Sequence, residues 1–180
     1  WNTHMLAPVG VAISPYDLHP YVLAYLYKFM HFLNSKINLM EAASYFPVLL
    51  MLLSIFPVFF IARKFSGNVG GYFAALMLTM NSAIIGRTLW GHADTDAYNI
   101  FFPMFILWAF IEAWYAIELK KKMILSAVTG ALLGIYSITW GGWWYFFDFI
   151  LGALGVYVIY QIILNYQKLP ELIKTIKETA

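Results

Sequence analysis

The run GRTLWGHADTDAYN at positions 86–99 gathers Arg87, His92, Asp94 and Asp96 in a chain of which only 11% of the residues are charged. Two carboxylates one residue apart at a helix start can hold a hard divalent cation such as Mg2+ or Mn2+. The helix that follows points its N-terminus at them, favouring the ionised carboxylates that a metal requires. A plainer reading stands beside this one. Asp96, just before Ala97, would serve as an N-cap, and Arg87 alone would serve as a snorkelling residue at a membrane interface.

The elements that must position these residues are apolar helices. Of the 180 residues, 62% are hydrophobic and 19% aromatic, against roughly 45–50% apolar residues in an average soluble domain. The apolar runs recur along almost the whole chain, unlike the single short run of a secretory signal. A formal net charge of +2 is too small to argue for nucleic acid, and the absence of Cys excludes disulfides and thiolate chemistry. The composition predicts an all-α, polytopic membrane protein. A span needs about 20 apolar residues, and five segments are candidates: 42–62, 65–86, 97–117 (apolar but for Glu112), 123–139 and 144–164. Ser66-Gly67-Asn68, Lys120-Lys121-Lys122 and Gly141-Gly142 punctuate them. Gly130 and Gly134 form a GxxxG that suggests close helix packing, and Pro103 predicts a kink in the third span.

Basic residues orient the bundle. Arg63-Lys64, Lys120–Lys122 and the tail with Lys168, Lys174 and Lys177 fall on one side and hold eight of the eleven Lys and Arg. That side is predicted to be cytoplasmic, which puts Asp94 on the extracytoplasmic face. Leu18, Val22, Tyr25, Leu26, Phe29 and Leu33 make a helical stripe too short to span, read as an amphipathic helix on the outer surface. The expected organisation is an external segment at 1–41, a transmembrane bundle at 42–164 and a cytoplasmic amphipathic helix at 165–180. A chain that begins at Trp1 and stops within a polar helix is expected to be a piece of something longer.

Other residues carry weaker signals. Asp148, inside the last span, is either a functional acid or a partner buried in the bundle. His92 is read as interfacial, and His4, Asp17 and His19 as solvated or capping residues, since their spacings fit no ligand motif. Trp90, Trp108 and Trp114 are read as lipid and interface packing.

The run 86–99 resembles the second acidic motif of the catalytic subunit of oligosaccharyltransferases, the Stt3/AglB/PglB family of GT-C glycosyltransferases, and its archaeal form most of all. Ala7-Pro8-Val9-Gly10 is similar to that family's proline–glycine segment in the first external loop. Ser137-Ile138-Thr139-Trp140-Gly141-Gly142-Trp143 resembles its Ser/Thr-Trp-Gly-Gly signature. The resemblance implies transfer of an oligosaccharide from a dolichyl or polyprenyl (pyro)phosphate to Asn in Asn-x-Ser/Thr sequons of an acceptor protein. It also implies a divalent metal held by Asp94 with Asp96 beside it and the acceptor amide, and Arg87 close by. The family's earlier acidic motif, late-loop Glu and WWDYG segment are not in this sequence, so the segment by itself is expected to be inactive. Two alternatives remain at this point: another lipid-linked sugar transferase, such as a protein O-mannosyltransferase, and a cation-coupled transporter. The interfacial place of Asp94 and the lack of repeated halves argue against the transporter.

Overall fold

The computed structural model describes residues 17–166 together with Val9, and every element among them is helical. They are α1 (Leu18–Leu33), α2 (Leu39–Met80), α3 (Ser82–Thr88), a 3-10 turn (Thr95–Ala97), α4 (Tyr98–Tyr115), α5 (Leu119–Ser137) and α6 (Trp144–Tyr166). Three stretches, Leu39–Met80, Thr95–Tyr115 and Trp144–Tyr166, are long and apolar enough to cross a membrane. The chain is a multi-pass membrane protein. By contacts it divides into one unit ending at Gly141 and a second beginning at Gly142.

Within the first unit, α2 starts at a reciprocal cap. The Glu41 amide donates to Asn38 Oδ1 (2.9 Å), and the Asn38 amide donates to Glu41 Oε2 (3.0 Å). A straight rod of its 42 residues would reach roughly 63 Å, twice a hydrocarbon core of about 30 Å. It folds back instead at Gly67, whose φ of 68° and ψ of −172° lie in a region essentially closed to residues with a Cβ. The return arm lies against the first arm, with the Phe59 and Tyr72 rings 5.1 Å apart and Gly71 too close to Phe59 for a Cβ to fit. The two arms correspond to the two segments expected at 42–62 and 65–86, and the reversal falls within the expected Ser66-Gly67-Asn68. The return arm is broken again at Asn81, whose side chain caps α3 by accepting from the Ala83 and Ile84 amides.

The first arm of α2 and α4 run side by side in the same direction. Phe46 meets Tyr98 at one end (5.2 Å between rings), Phe60 stacks on Trp108 (5.1 Å), and Lys64 pairs with Glu112 (2.9 Å) at the other. Spacings of three and four place Phe46, Leu50, Ser54 and Pro57 on one face of α2, and Tyr98, Phe102, Ile106, Ala109 and Ala113 on one face of α4. These residues are buried and form the core, while Val69 (82% exposed) and Tyr72 (69%) are left for lipid. Ser54 and Thr129 donate to carbonyls four residues back, so no buried side-chain polar atom among the described residues lacks a partner. α5 returns along α4, and its wholly buried Tyr136 stacks on Phe102 and donates to Asn99 Oδ1 (2.8 Å).

Some expectations meet a different arrangement. Gly130 and Gly134 have no neighbour within 4 Å of where a Cβ would stand, so the GxxxG is not a packing surface among the described residues. α5 begins on the Lys120–Lys122 run and is not among the helices long and apolar enough to span. α1 has the bounds expected of it, buries none of its residues and, at 16 residues, is about 24 Å long. The second unit contains α6, 23 residues long, with Asp148 exposed a turn from its start. The expected helix at 165–180 and the segment around His4 lie outside the described residues, apart from the last two residues of α6.

Candidate active site

The acidic run occupies the junction between α3 and α4, at the end of the bundle opposite Lys64 and Glu112. Its path is set by Gly91, which takes a φ of 95° that side chains with a Cβ rarely adopt. The Gly91 amide donates to the carbonyl of Ser44 on α2 (3.2 Å), which pins the turn to the start of the bundle. Trp90 lies edge-on to Tyr45 beside it (6.3 Å). The chain then runs back through Asp94 into the 3-10 turn.

This turn brings Arg87 and Asp96 together, and the Arg87 guanidinium donates directly to Asp96 Oδ2. Both groups remain accessible, at 64% and 31% of their side-chain surface. Such an exposed pair contributes little to stability, which leaves it available to a ligand. The capping role expected of Asp96 belongs to Asp94 instead. Asp94 Oδ1 accepts from the Thr95 amide (2.6 Å) and from the Thr95 hydroxyl (3.3 Å). Its other oxygen takes no described partner, and the residue is exposed.

Behind the loop stands His19, on the first turn of α1. Its Nε2 lies 3.2 Å from the Ala93 carbonyl and its Nδ1 3.4 Å from the Tyr98 hydroxyl. A carbonyl only accepts, so the proton sits on Nε2, and in the neutral ring Nδ1 accepts from Tyr98. The ring is held edge-on between Phe46 (5.2 Å) and Tyr98 (5.6 Å). Asp17 caps α1 by accepting from the His19 amide (3.1 Å), as its expected capping role requires, and the Leu18 amide donates to the Ile138 carbonyl (3.2 Å). Two of the motifs singled out in the sequence, 86–99 and the start of Ser137–Trp143, are thus tied to one another through α1. His19 is half-buried and, beyond the solvated or capping role expected of it, buttresses the residue before Asp94. Its separation of 74 residues from Ala93 left no local pattern from which this could be seen.

The oxygen chemistry of Asp94 suits a hard divalent cation. Among the described residues, however, no cluster of three or more Asp, Glu, His or Cys forms a complete metal cage. Each carboxylate has one oxygen engaged, Asp94 Oδ1 by Thr95 and Asp96 Oδ2 by Arg87; Asp94 is the more exposed of the two and carries no paired cation among the described residues. His92 is exposed on the same loop, and Asp148, in the second unit, takes no ion pair among the described residues.

Fold and loop together define a helical membrane protein with an acidic loop at one end of its helices. The chain belongs to the oligosaccharyl transferase STT3 family, whose N-terminal family model matches residues 1–174. It is similar to a dolichyl-phosphooligosaccharide-protein glycotransferase of Methanococcus voltae, with 30% identity over 89% of this chain and 18% of the relative. An undecaprenyl-diphosphooligosaccharide–protein glycotransferase of Campylobacter jejuni is 29% identical over 78% of the chain and 18% of its own length. A dolichyl-phosphooligosaccharide-protein glycotransferase of Pyrococcus furiosus is 29% identical over 96% of the chain and 17% of its own length. The chain thus spans under a fifth of the length of these relatives. No solved structure matches it.

Proposed function

We propose that this chain forms part of an oligosaccharyltransferase that moves a glycan from a dolichyl or polyprenyl (pyro)phosphate to the Asn side chain of Asn-x-Ser/Thr sequons. The observation that carries the reading is the loop itself. The Gly91 turn pairs Arg87 with Asp96 and leaves Asp94 exposed. The relatives' names supply the two substrates, a lipid-linked oligosaccharide and a protein. Family membership also weighs against the O-mannosyltransferase and transporter readings.

The chemistry follows from what the reaction lacks. A carboxamide nitrogen is a poor nucleophile, so the departing phosphate must be stabilised. Asp94 would hold a Mg2+ or Mn2+ ion there, which when bound supplies charge stabilisation as a Lewis acid. Asp96 keeps its Oδ1 to accept from an N–H of the incoming amide, and Arg87 fixes the orientation of that carboxylate. The remaining ligands and the sequon-binding groups would come from parts of the polypeptide beyond this chain. Among the described residues, Arg63, Lys64 and Lys120–Lys122 lie at the other end of the helices, and the positive-inside tendency then supports an extracytoplasmic Asp94.

The test is transfer of a lipid-linked glycan to an Asn-x-Thr peptide by the full-length protein. Transfer is expected to disappear with a chelator and in Asp94→Ala, with the protein still folded and inserted. Undiminished transfer in Asp94→Ala would remove Asp94 from the site, and a folded protein that transfers from no lipid-linked donor would remove the enzyme class.

A further inference from the structure

The end of the bundle away from the acidic loop carries a second charged feature that the transfer reaction does not use. A cleft of about 400 Å³ opens between α2 and α4, lined by Phe60, Arg63, Lys64, Trp108 and Glu112. Its wall is the face-to-face stack of Phe60 on Trp108 (5.1 Å). On its rim Lys64 is already engaged, by Glu112 (2.9 Å) and by the Tyr115 ring (5.0 Å from the ammonium to the centroid). Arg63 is exposed and takes no ion pair among the described residues. Two cations facing one carboxylate leave a positive charge over, beside an aromatic wall, at the end of α4 from which the chain enters the Lys120–Lys122 run.

We propose that this cleft binds an anionic phospholipid, with its phosphate on Arg63 and the upper part of a chain against Phe60 and Trp108. The charge complementarity is specific in form: a guanidinium presents a planar fork that engages two phosphate oxygens at once. The place also fits, because α2 and α4 are apolar up to this level and headgroups lie where the apolar stretch ends. Basic pockets between helices at a membrane face are the sites at which acidic headgroups are held. A snorkelling arginine by contrast would answer to the general surface charge and not to the cleft.

The experiment uses the full-length protein in nanodiscs holding equal amounts of phosphatidylglycerol and phosphatidylcholine, with the retained lipids counted by native mass spectrometry after release. The unsubstituted protein is expected to retain the anionic lipid in preference. Arg63→Gln is expected to cut that preference by about tenfold. Lys121→Gln, which removes the same charge from the neighbouring loop, should leave it nearly unchanged. Equal losses in the two variants would mean a diffuse basic surface and overturn the proposal, as would no loss in Arg63→Gln. Trp108→Leu keeps every charge and is expected to lower retention through the lost wall, so it decides the matter if Arg63→Gln fails to insert. Retention untouched by Trp108→Leu would overturn the cleft. Excess inorganic phosphate should not displace the lipid; displacement would mark a soluble-anion site instead.

Discussion

Arg87 and Asp96 lie nine residues apart, yet they meet because Gly91 reverses the chain between them. If Asp96 acts as a carboxylate oriented by Arg87, a lysine at that position keeps the charge but loses the rigid fork. Arg87→Lys is therefore expected to slow transfer by about tenfold, and Arg87→Gln by more, in initial-rate assays with saturating donor. Equal rates in both variants and the unsubstituted protein would remove Arg87 from the site. His19 acts one step further back, through the Ala93 carbonyl. Loss of one neutral hydrogen bond, of order 1 kcal/mol, predicts a fall of about fivefold in His19→Ala. His19→Gln keeps an N–H for Ala93 and should recover part of the rate, which a packing role alone would not produce. The acidic run was legible in the sequence because its members are neighbours in a chain poor in charge. His19 was not, because the residues it holds, Phe46, Ala93 and Tyr98, are remote in sequence and two of them look like ordinary core aromatics.

At the scale of elements, the helices follow from apolar spacing, and their interruptions follow from single residues. The three-and-four spacing of the buried residues in α2 and α4 fixes which faces meet, and such spacing can be read without coordinates. What could not be read is that the GxxxG of α5 faces no neighbour among the described residues while Gly71 meets Phe59. A small residue permits close approach but does not say whether a partner arrives. Gly67 is a sharper case, since its φ and ψ together are open only to glycine. Gly67→Ala is expected to destabilise the hairpin by about 1–3 kcal/mol, seen as a lower thermal midpoint in detergent. Transfer measured well below that midpoint should be little changed, because the bend lies at the far end of α2 from Asp94. An unchanged midpoint would mean that the chain reverses elsewhere.

For the whole molecule the question is which end of the helices faces which side of the membrane. Two contact sets mark the ends. Ser44, Gly91, His19 and Ala93 meet at one, and Lys64 and Glu112 at the other. The alternation of basic loops was visible from sequence, and the Lys64–Glu112 pair explains how an acid persists in an otherwise apolar α4: it is met by a cation from the adjacent helix. Because this chain has no cysteine, single cysteines report on each end against the unsubstituted full-length protein as background. His92 is exposed on the acidic loop and Lys121 is exposed at the start of α5. In intact cells, His92→Cys is expected to react with a membrane-impermeant maleimide, and Lys121→Cys only once the membrane is opened. The reverse pattern would put the acidic loop on the cytoplasmic side, where the basic residues would then face outward against the usual charge bias. Reaction of both in intact cells would mean that α4 does not carry the chain across. Since α4 joins the two sites with a single apolar helix, opposite reactivities are the outcome that a spanning α4 requires.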